Sequence, residues 1–163
     1  MIRYARIATP AGNLFATAEN GAITGIYFEG QKYFPPMDDW KEDAGAEPLR
    51  ECARQLREYF EGTRTGFDLP LAPEGTEFQH RVWREIARIP FGETITYAEL
   101  ARRAGAPGSA RAAGAATGRN PITLVVPCHR VVGTDGSLTG YAGGLERKTR
   151  LLEIEGALQG SLV

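Results

Sequence analysis

The sequence predicts a mixed α/β (α+β) protein of two lobes, a small sheet with one helix followed by a mostly helical half carrying a helix-turn-helix. Three observations predict it. The first third alternates apolar and polar residues around strong hairpin signals. From Thr76 onward the apolar spacing turns helical behind two capping-box patterns. The length of 163 residues suits one ordinary domain or two small lobes sharing a chain.

Taken in order, Ile2 to Ala8 alternates, Pro10-Ala11-Gly12-Asn13 reads as a turn, and Leu14 to Ala18 resumes the strand pattern. Asn20-Gly21 is the dipeptide preferred by two-residue hairpins, and Ile23 to Phe28 forms the next strand. Residues 29–46 are polar and turn-rich, which predicts a loop. Pro48 to Phe60 is amphipathic and meets a helix stop at Gly62. Cys52 lies on the apolar stripe of that helix, where packing is the expected role. A break at Leu71-Ala72-Pro73-Glu74-Gly75 divides the chain into lobes 1–75 and 76–163.

In the second lobe, Thr76-Glu77-Phe78-Gln79 opens a helix that runs through Trp83 and Ile86 to Pro90. Thr96-Tyr97-Ala98-Glu99 opens another, to Arg103. Gly105-Ala106-Pro107-Gly108 breaks it, and Ser109 is expected to cap a third helix, Ala110 to about Thr117. Two short helices around a glycine-bearing turn form a helix-turn-helix pattern. Asn120-Pro121 marks a turn, Ile122 to Val126 reads as a strand, a glycine-rich run spans 133–144, and Leu145 to Ile154 is the last helix, ended by Gly156.

Composition excludes several classes. Apolar content is 42% and charged content 24%, ordinary for a globular chain. No stretch approaches the roughly 20 apolar residues of a membrane span, and Met1 to Ala5 lacks the apolar core of a secretion signal. A cytoplasmic protein is expected. Two cysteines, Cys52 and Cys128, do not make a disulfide framework. Cys52, His80, Cys128 and His129 lack the paired spacing of a zinc site, and the glycine-rich run is no phosphate fingerprint, so no metal and no small-molecule cofactor are expected. The net charge of −1 hides an asymmetry: residues 1–75 carry a net −4 and residues 76–163 a net +3. All eight cations between 81 and 130 are arginine, the side chain suited to forked contacts with phosphate and base edges.

Two features carry chemistry. The first is Val126-Pro127-Cys128-His129-Arg130-Val131-Val132. A cysteine reacts as the thiolate, so a neighbouring base or positive field separates a nucleophile from a packing thiol. Cys128, at the end of an apolar run and followed by two basic side chains, fits a nucleophile; a buried free cysteine is the alternative. The second is the helix Ala110-Arg111-Ala112-Ala113-Gly114-Ala115-Ala116-Thr117, with a single long side chain. An internal glycine costs about 1 kcal/mol against alanine, which points to a close approach at Gly114. A helix stripped this far suits a shallow or widened DNA minor groove, with Arg111 probing the base stack; close packing against another helix is the alternative.

Together these pieces resemble the O(6)-alkylguanine-DNA alkyltransferases, also called methylated-DNA–protein-cysteine methyltransferases. The resemblance covers about residues 76–156. It rests on Gly75-Thr76-Glu77-Phe78-Gln79, Phe91-Gly92-Glu93-Thr94-Ile95-Thr96-Tyr97, Ala110-Arg111-Ala112, Gly118-Arg119-Asn120-Pro121, Pro127-Cys128-His129-Arg130 and Gly140-Tyr141-Ala142-Gly143-Gly144-Leu145. The first 70 residues share only a general layout with the family, a ribonuclease-like sheet plus helix.

The resemblance implies repair of O(6)-alkylguanine, and of O(4)-alkylthymine, in double-stranded DNA approached through the minor groove. The damaged base is flipped out and its alkyl group moves irreversibly to the protein. It implies Cys128 as acceptor, His129 as base acting through a water, Glu155 as the group orienting that histidine, Asn120 as brace of the turn, and Tyr141 as hydrogen-bond donor to the departing guanine. Val131 and Ala142 are expected at the base edge. Tyr97 is expected against the 3′ phosphate, Arg111 in the vacated stack, and Ala110, Gly114 and Arg119 on the DNA-facing surface. A thioether offers no leaving group, so one monomeric protein repairs one lesion without a cofactor. The family's larger eukaryotic members hold zinc near the N-terminus; here that lobe has no histidine and one cysteine. Two other readings exist. An alkyltransferase-like sensor flips the base without reacting, but such proteins replace the cysteine of this motif. A thiol hydrolase would leave the alanine-rich helix and Arg111 unexplained.

Overall fold

The computed structural model describes residues 1–133 and 135–157, so Thr134 of the glycine-rich run and the end of the second lobe lie outside the described residues. The chain forms two compact units. One comprises Met1–Glu74 with Pro121–Val125, the other Gly75–Asn120 with the chain from Val126 onward.

In the first unit, β1 (Ile2–Thr9), β2 (Gly12–Glu19) and β3 (Ala22–Phe28) form an antiparallel meander, and β4 (Trp40–Glu42) adds to the far side of β1 in parallel. The strand order is β3-β2-β1-β4. Asn20 and Gly21 both have positive φ, 51° and 79°. That is the left-handed pair a tight hairpin needs to match strand twist. Helix α1 (Leu49–Glu61) ends at Gly62, whose φ of 83° supplies the left-handed cap. Leu14, Ile23, Ile26, Phe28, Leu49, Leu56 and Tyr59 are fully buried or nearly so. Cys52 belongs to the same core, and burial pushes its thiol up to about 12. This is the expected packing cysteine.

Two expectations fail in this unit. Residues 29–46 are not wholly loop, because Trp40–Glu42 pairs with Ile2–Tyr4; a three-residue strand recruited by a distant partner leaves no periodic trace. Ile122 to Val126 is not a regular strand. Ile122 makes one parallel bridge to Ile26, flanked by Ile26 N–H to Pro121 O at 2.8 Å and Thr123 N–H to Ile26 O at 3.0 Å. Leu124 then takes φ 75° and Val125 N–H returns to Thr123 O. A left-handed residue followed by a tight turn ends the ladder after one step.

The second unit holds α2 (Glu77–Ala87), β5 (Ile95–Thr96), α3 (Tyr97–Arg103), α4 (Ala110–Gly118), β6 (Val131–Val132) and α5 (Leu145–Ile154). Both halves of the Thr76 capping box form. At α3 only one half does: Thr96 accepts from the Glu99 N–H, while the Glu99 carboxylate is engaged by Arg102 and Arg103. Ser109 sits at the start of α4 without the expected side-chain cap. Between α3 and α4, Gly105 at φ 82° lets Ala106 N–H reach Ala101 O and its own N–H reach Arg102 O. This doubly bonded helix end turns the chain sharply into α4. Trp83 on α2 donates its indole N–H to Ala116 O at 2.8 Å, fixing α4 against α2. Among the described residues, no helix is long and apolar enough to cross a membrane.

Candidate active site

Cys128 is placed by a short chain of local constraints. Pro127 has φ −81° and ψ 66°, and proline locks φ near that value. Those angles are an inverse γ-turn, closed by Cys128 N–H to Val126 O at 2.8 Å. The buried Asn120 donates its Nδ2 to the same carbonyl at 2.8 Å, so both lone pairs of Val126 O are used. Residues Cys128–Arg130 then form one 3₁₀ turn, and β6 leaves it to pair in parallel with β5. Cys128 and His129 therefore stand on a 3₁₀ turn rather than on a strand.

His129 is fully buried, and its Nε2 lies 2.7 Å from Glu155 Oε2. A carboxylate accepts, so Nε2 carries the proton and Nδ1 the lone pair. Nδ1 is buried with no hydrogen-bond partner among the described residues. Burial holds the imidazole below its ordinary pKa, against the opposing pull of Glu155, which keeps it neutral and basic at Nδ1. Tyr141 meets it edge-on, with ring centroids 6.5 Å apart.

Glu155 caps the end of α5 and is gripped from the other side by Arg130. Nε lies 2.7 Å from Oε1 and Nη2 3.0 Å from Oε2, while Nη1 donates to Ile89 O at 2.6 Å. This departs from the sequence reading, in which Arg130 supplied a positive field to the cysteine. The forked guanidinium matches the carboxylate, and so it is spent on Glu155.

Lys148 takes up part of that electrostatic role. It is fully buried on α5, donates to Thr139 O at 2.7 Å and Gly140 O at 3.2 Å, and is pushed down to about 8 by burial. Burial pushes the Cys128 thiol up; a hydrogen bond from Asn120 and the charge of Lys148 act against that. Sequence reasoning missed Lys148, although a signal was present. Lys148, Leu151, Leu152 and Glu155 fall on one helical face and all four are buried, so two charged residues sit on an apolar stripe.

Tyr97, at the first position of α3, donates its hydroxyl to Thr139 O at 3.1 Å and is pushed up to about 12, chiefly by burial. Val131 is buried in β6, and Ala142 is half-buried in the turn closed by Gly144 N–H to Tyr141 O. Cys128, His129, Glu155, Asn120 and Tyr141 thus share one neighbourhood. Ala110, Arg111, Gly114 and Arg119 stand apart on α4 and its C-terminal end, with Arg111 and Arg119 exposed. A Cβ built at Gly114 would meet Tyr97 only at 3.7 Å, ordinary contact, so no close packing among the described residues requires this glycine. Among the described residues, no group of three or more His, Cys, Asp or Glu is arranged to hold a metal ion.

The model of the 6-O-methylguanine DNA methyltransferase DNA-binding domain matches residues 77–157, and that of the family's ribonuclease-like domain matches residues 2–73. The chain belongs to this family. The Mycobacterium bovis methylated-DNA–protein-cysteine methyltransferase is 46% identical over 155 residues, covering 95% of this chain and 93% of that protein. The Methanosarcina acetivorans protein of the same name is 46% identical over 94% of this chain and 98% of its own length. A crystal structure of Mycobacterium tuberculosis OGT in complex with DNA superposes with a TM-score of 0.88 at 45% identity, covering 95% of this chain and 93% of that one. The ribonuclease-like character expected of the first lobe is therefore shown by the methyltransferase family itself.

Proposed function

We propose that this methyltransferase-family chain repairs O(6)-alkylguanine in double-stranded DNA by taking the alkyl group onto Cys128. The observation that carries this is the buried His129–Glu155–Arg130 relay, whose His129 directly follows Cys128, in the unit that holds a helix-turn-helix. His129 Nδ1 takes the thiol proton through a water, and Glu155, fixed by Arg130, balances the imidazolium that forms. The thiolate attacks the alkyl carbon, a carbon–sulfur bond forms, and the bond from that carbon to guanine O6 breaks. The electron pair passes to the guanine, which takes a proton back from the His129 imidazolium through the water and remains in the DNA as the normal base, with Tyr141 donating a hydrogen bond to it. Asn120 and Lys148 favour the thiolate that burial disfavours.

The target atom lies inside the base stack, so the nucleotide must rotate out of the duplex. Tyr97 crowds the phosphate on the 3′ side, Arg111 fills the gap left in the stack, and the small residues of α4, Ala110 and Gly114 among them, allow entry into the minor groove, with Arg119 at the phosphates. Val131 and Ala142 line the base edge. O(4)-alkylthymine presents the same reacting group and is a second substrate. The protein acts as a monomer in the cytoplasm, where a free thiol stays reduced.

The test is incubation with excess duplex containing O(6)-methylguanine, followed by intact-mass and peptide analysis. One methylene added to the Cys128 peptide, with no further turnover, is the expected result. Repeated turnover, or lesion loss with Cys128 unmodified, refutes the reading. Cys128→Ala should retain DNA binding without transfer. Arg111→Ala should slow repair in duplex far more than reaction with the free alkylated base.

A further inference from the structure

Strand β1 is an interior strand for only part of its length. Its outer edge pairs with β4 across Ile2–Tyr4, and Asp43 N–H to Tyr4 O at 2.9 Å closes that ladder. Since the Tyr4 carbonyl faces outward, strand alternation turns the main-chain groups of Arg6 and Ala8 the same way. No hydrogen bond reaches those outward groups among the described residues. Both residues are exposed.

Beside this open edge runs a groove of about 360 Å³ between β1 and α1. Ala5, Ile7 and Ala53 give it apolar lining, and Arg50 and Arg57 line its α1 side, while Arg6 at the β1 edge holds its guanidinium over the Phe15 ring. Arg50, Ala53 and Arg57 lie on one face of α1. Arg57 forms no ion pair among the described residues, and Arg50 holds only the exposed Glu47, a pairing of the weak surface kind. An open strand edge is normally blunted or covered, because it templates pairing with another chain. Among the described residues no acidic side chain or proline guards Ala5 to Ala8.

We propose that this edge receives an extended acidic peptide segment of another protein as an added strand. Such a segment answers both the outward N–H and the outward C=O groups of Arg6 and Ala8, the mode in which main-chain bonds hold a peptide to a sheet. Its alternate side chains turn toward α1, where glutamate or aspartate meets Arg50 and Arg57. Charge excludes one other occupant and hydrogen bonding a second. A second copy placed edge to edge would set arginine against arginine. A DNA backbone offers acceptors only and leaves the two outward carbonyls unanswered. The site lies wholly in the first unit and is independent of the alkyl-transfer chemistry.

The probe is a labelled peptide of about eight alternating glutamate and valine residues, within the usual strand length, titrated into the full chain at low salt with anisotropy as readout. Saturable binding is expected, lost for the matching lysine–valine peptide. It should fall about tenfold or more in the Arg50→Glu/Arg57→Glu variant, the scale of two partly exposed ion pairs turned repulsive. Hydrogen exchange should slow at the Arg6 and Ala8 amides on binding, and Ala8→Pro, which removes one outward donor at a strand edge, should weaken binding while methyl transfer proceeds unchanged. Absence of binding, equal binding to the double arginine variant, binding without protection of those amides, dependence of DNA affinity on Arg50 and Arg57, or self-association protecting the same amides overturns the proposal.

Discussion

Replacing Arg130 with methionine isolates the electrostatics of the relay. The side chain keeps its bulk but loses three hydrogen bonds, two to the Glu155 carboxylate and one to Ile89 O. The Glu155 side chain has no exposed surface and that of Arg130 only 7%, so solvent cannot replace the guanidinium. Removing one partner of such a pair strands a buried charge and costs about 3–5 kcal/mol. For a chain of this size that is a fall in Tm of roughly 6–20 °C. The same change removes a cation that helps hold His129 below its ordinary pKa. The imidazolium then persists to higher pH, and the acid limb of the methyl-transfer profile moves upward. Urea unfolding at neutral pH and single-turnover transfer across pH measure the two effects. The double variant Arg130→Met/Glu155→Gln removes the stranded charge and should recover part of the lost stability. A loss below about 1 kcal/mol, an unmoved acid limb, or strict additivity of the two substitutions would refute the reasoning.

Three further outcomes are expected. His129 is held below its ordinary value of 6.5 in the folded chain, so below pH 6.5 the unfolded chain binds a proton that the folded one refuses. Stability falls there by up to about 1.4 kcal/mol per pH unit, a slope that His129→Gln should lack in pH-dependent urea titrations. Asn120→Ala leaves Val126 O with its bond from Cys128 N–H but removes a donor to the thiolate. The Cys128 pKa should rise further, seen as iodoacetamide labelling displaced to higher pH, with a stability loss of about 1–3 kcal/mol. Trp83→Phe loses the bond to Ala116 O and should cost about 1 kcal/mol in urea, with a larger effect on duplex repair than on reaction with free base.

What the sequence revealed depended on how local each determinant is. The Asn20-Gly21 hairpin, the Thr76 capping box and the glycine turn between α3 and α4 were legible because each is settled by residues a few positions apart. β4 was not, because three residues become a strand only where Ile2–Tyr4 receives them. The run Ile122 to Val126 has strand-forming side chains, yet Leu124 turns left-handed, which side-chain type does not announce. At the site, Cys128, His129 and Glu155 followed from the motif and the family resemblance. Arg130 was misassigned by adjacency: its guanidinium reaches Glu155, 25 positions on, rather than the cysteine two positions back. Lys148 is of a residue type that ordinarily lies at the surface, although its helical spacing to Leu151, Leu152 and Glu155 marks it as interior.

The two-residue ladder of Ile95–Thr96 with Val131–Val132 has a mechanical consequence. One strand runs directly into Tyr97 and α3, and the other leaves directly from the Cys128–Arg130 turn. Neighbouring strands are held about 4.8 Å apart by their main chains, so the entry to the recognition motif and the exit from the thiol turn are tied like two pages at one spine. If duplex DNA seats on the start of α3 as proposed, this ladder is the direct main-chain link from that contact to the Cys128 turn, with no loop between the paired residues and either element.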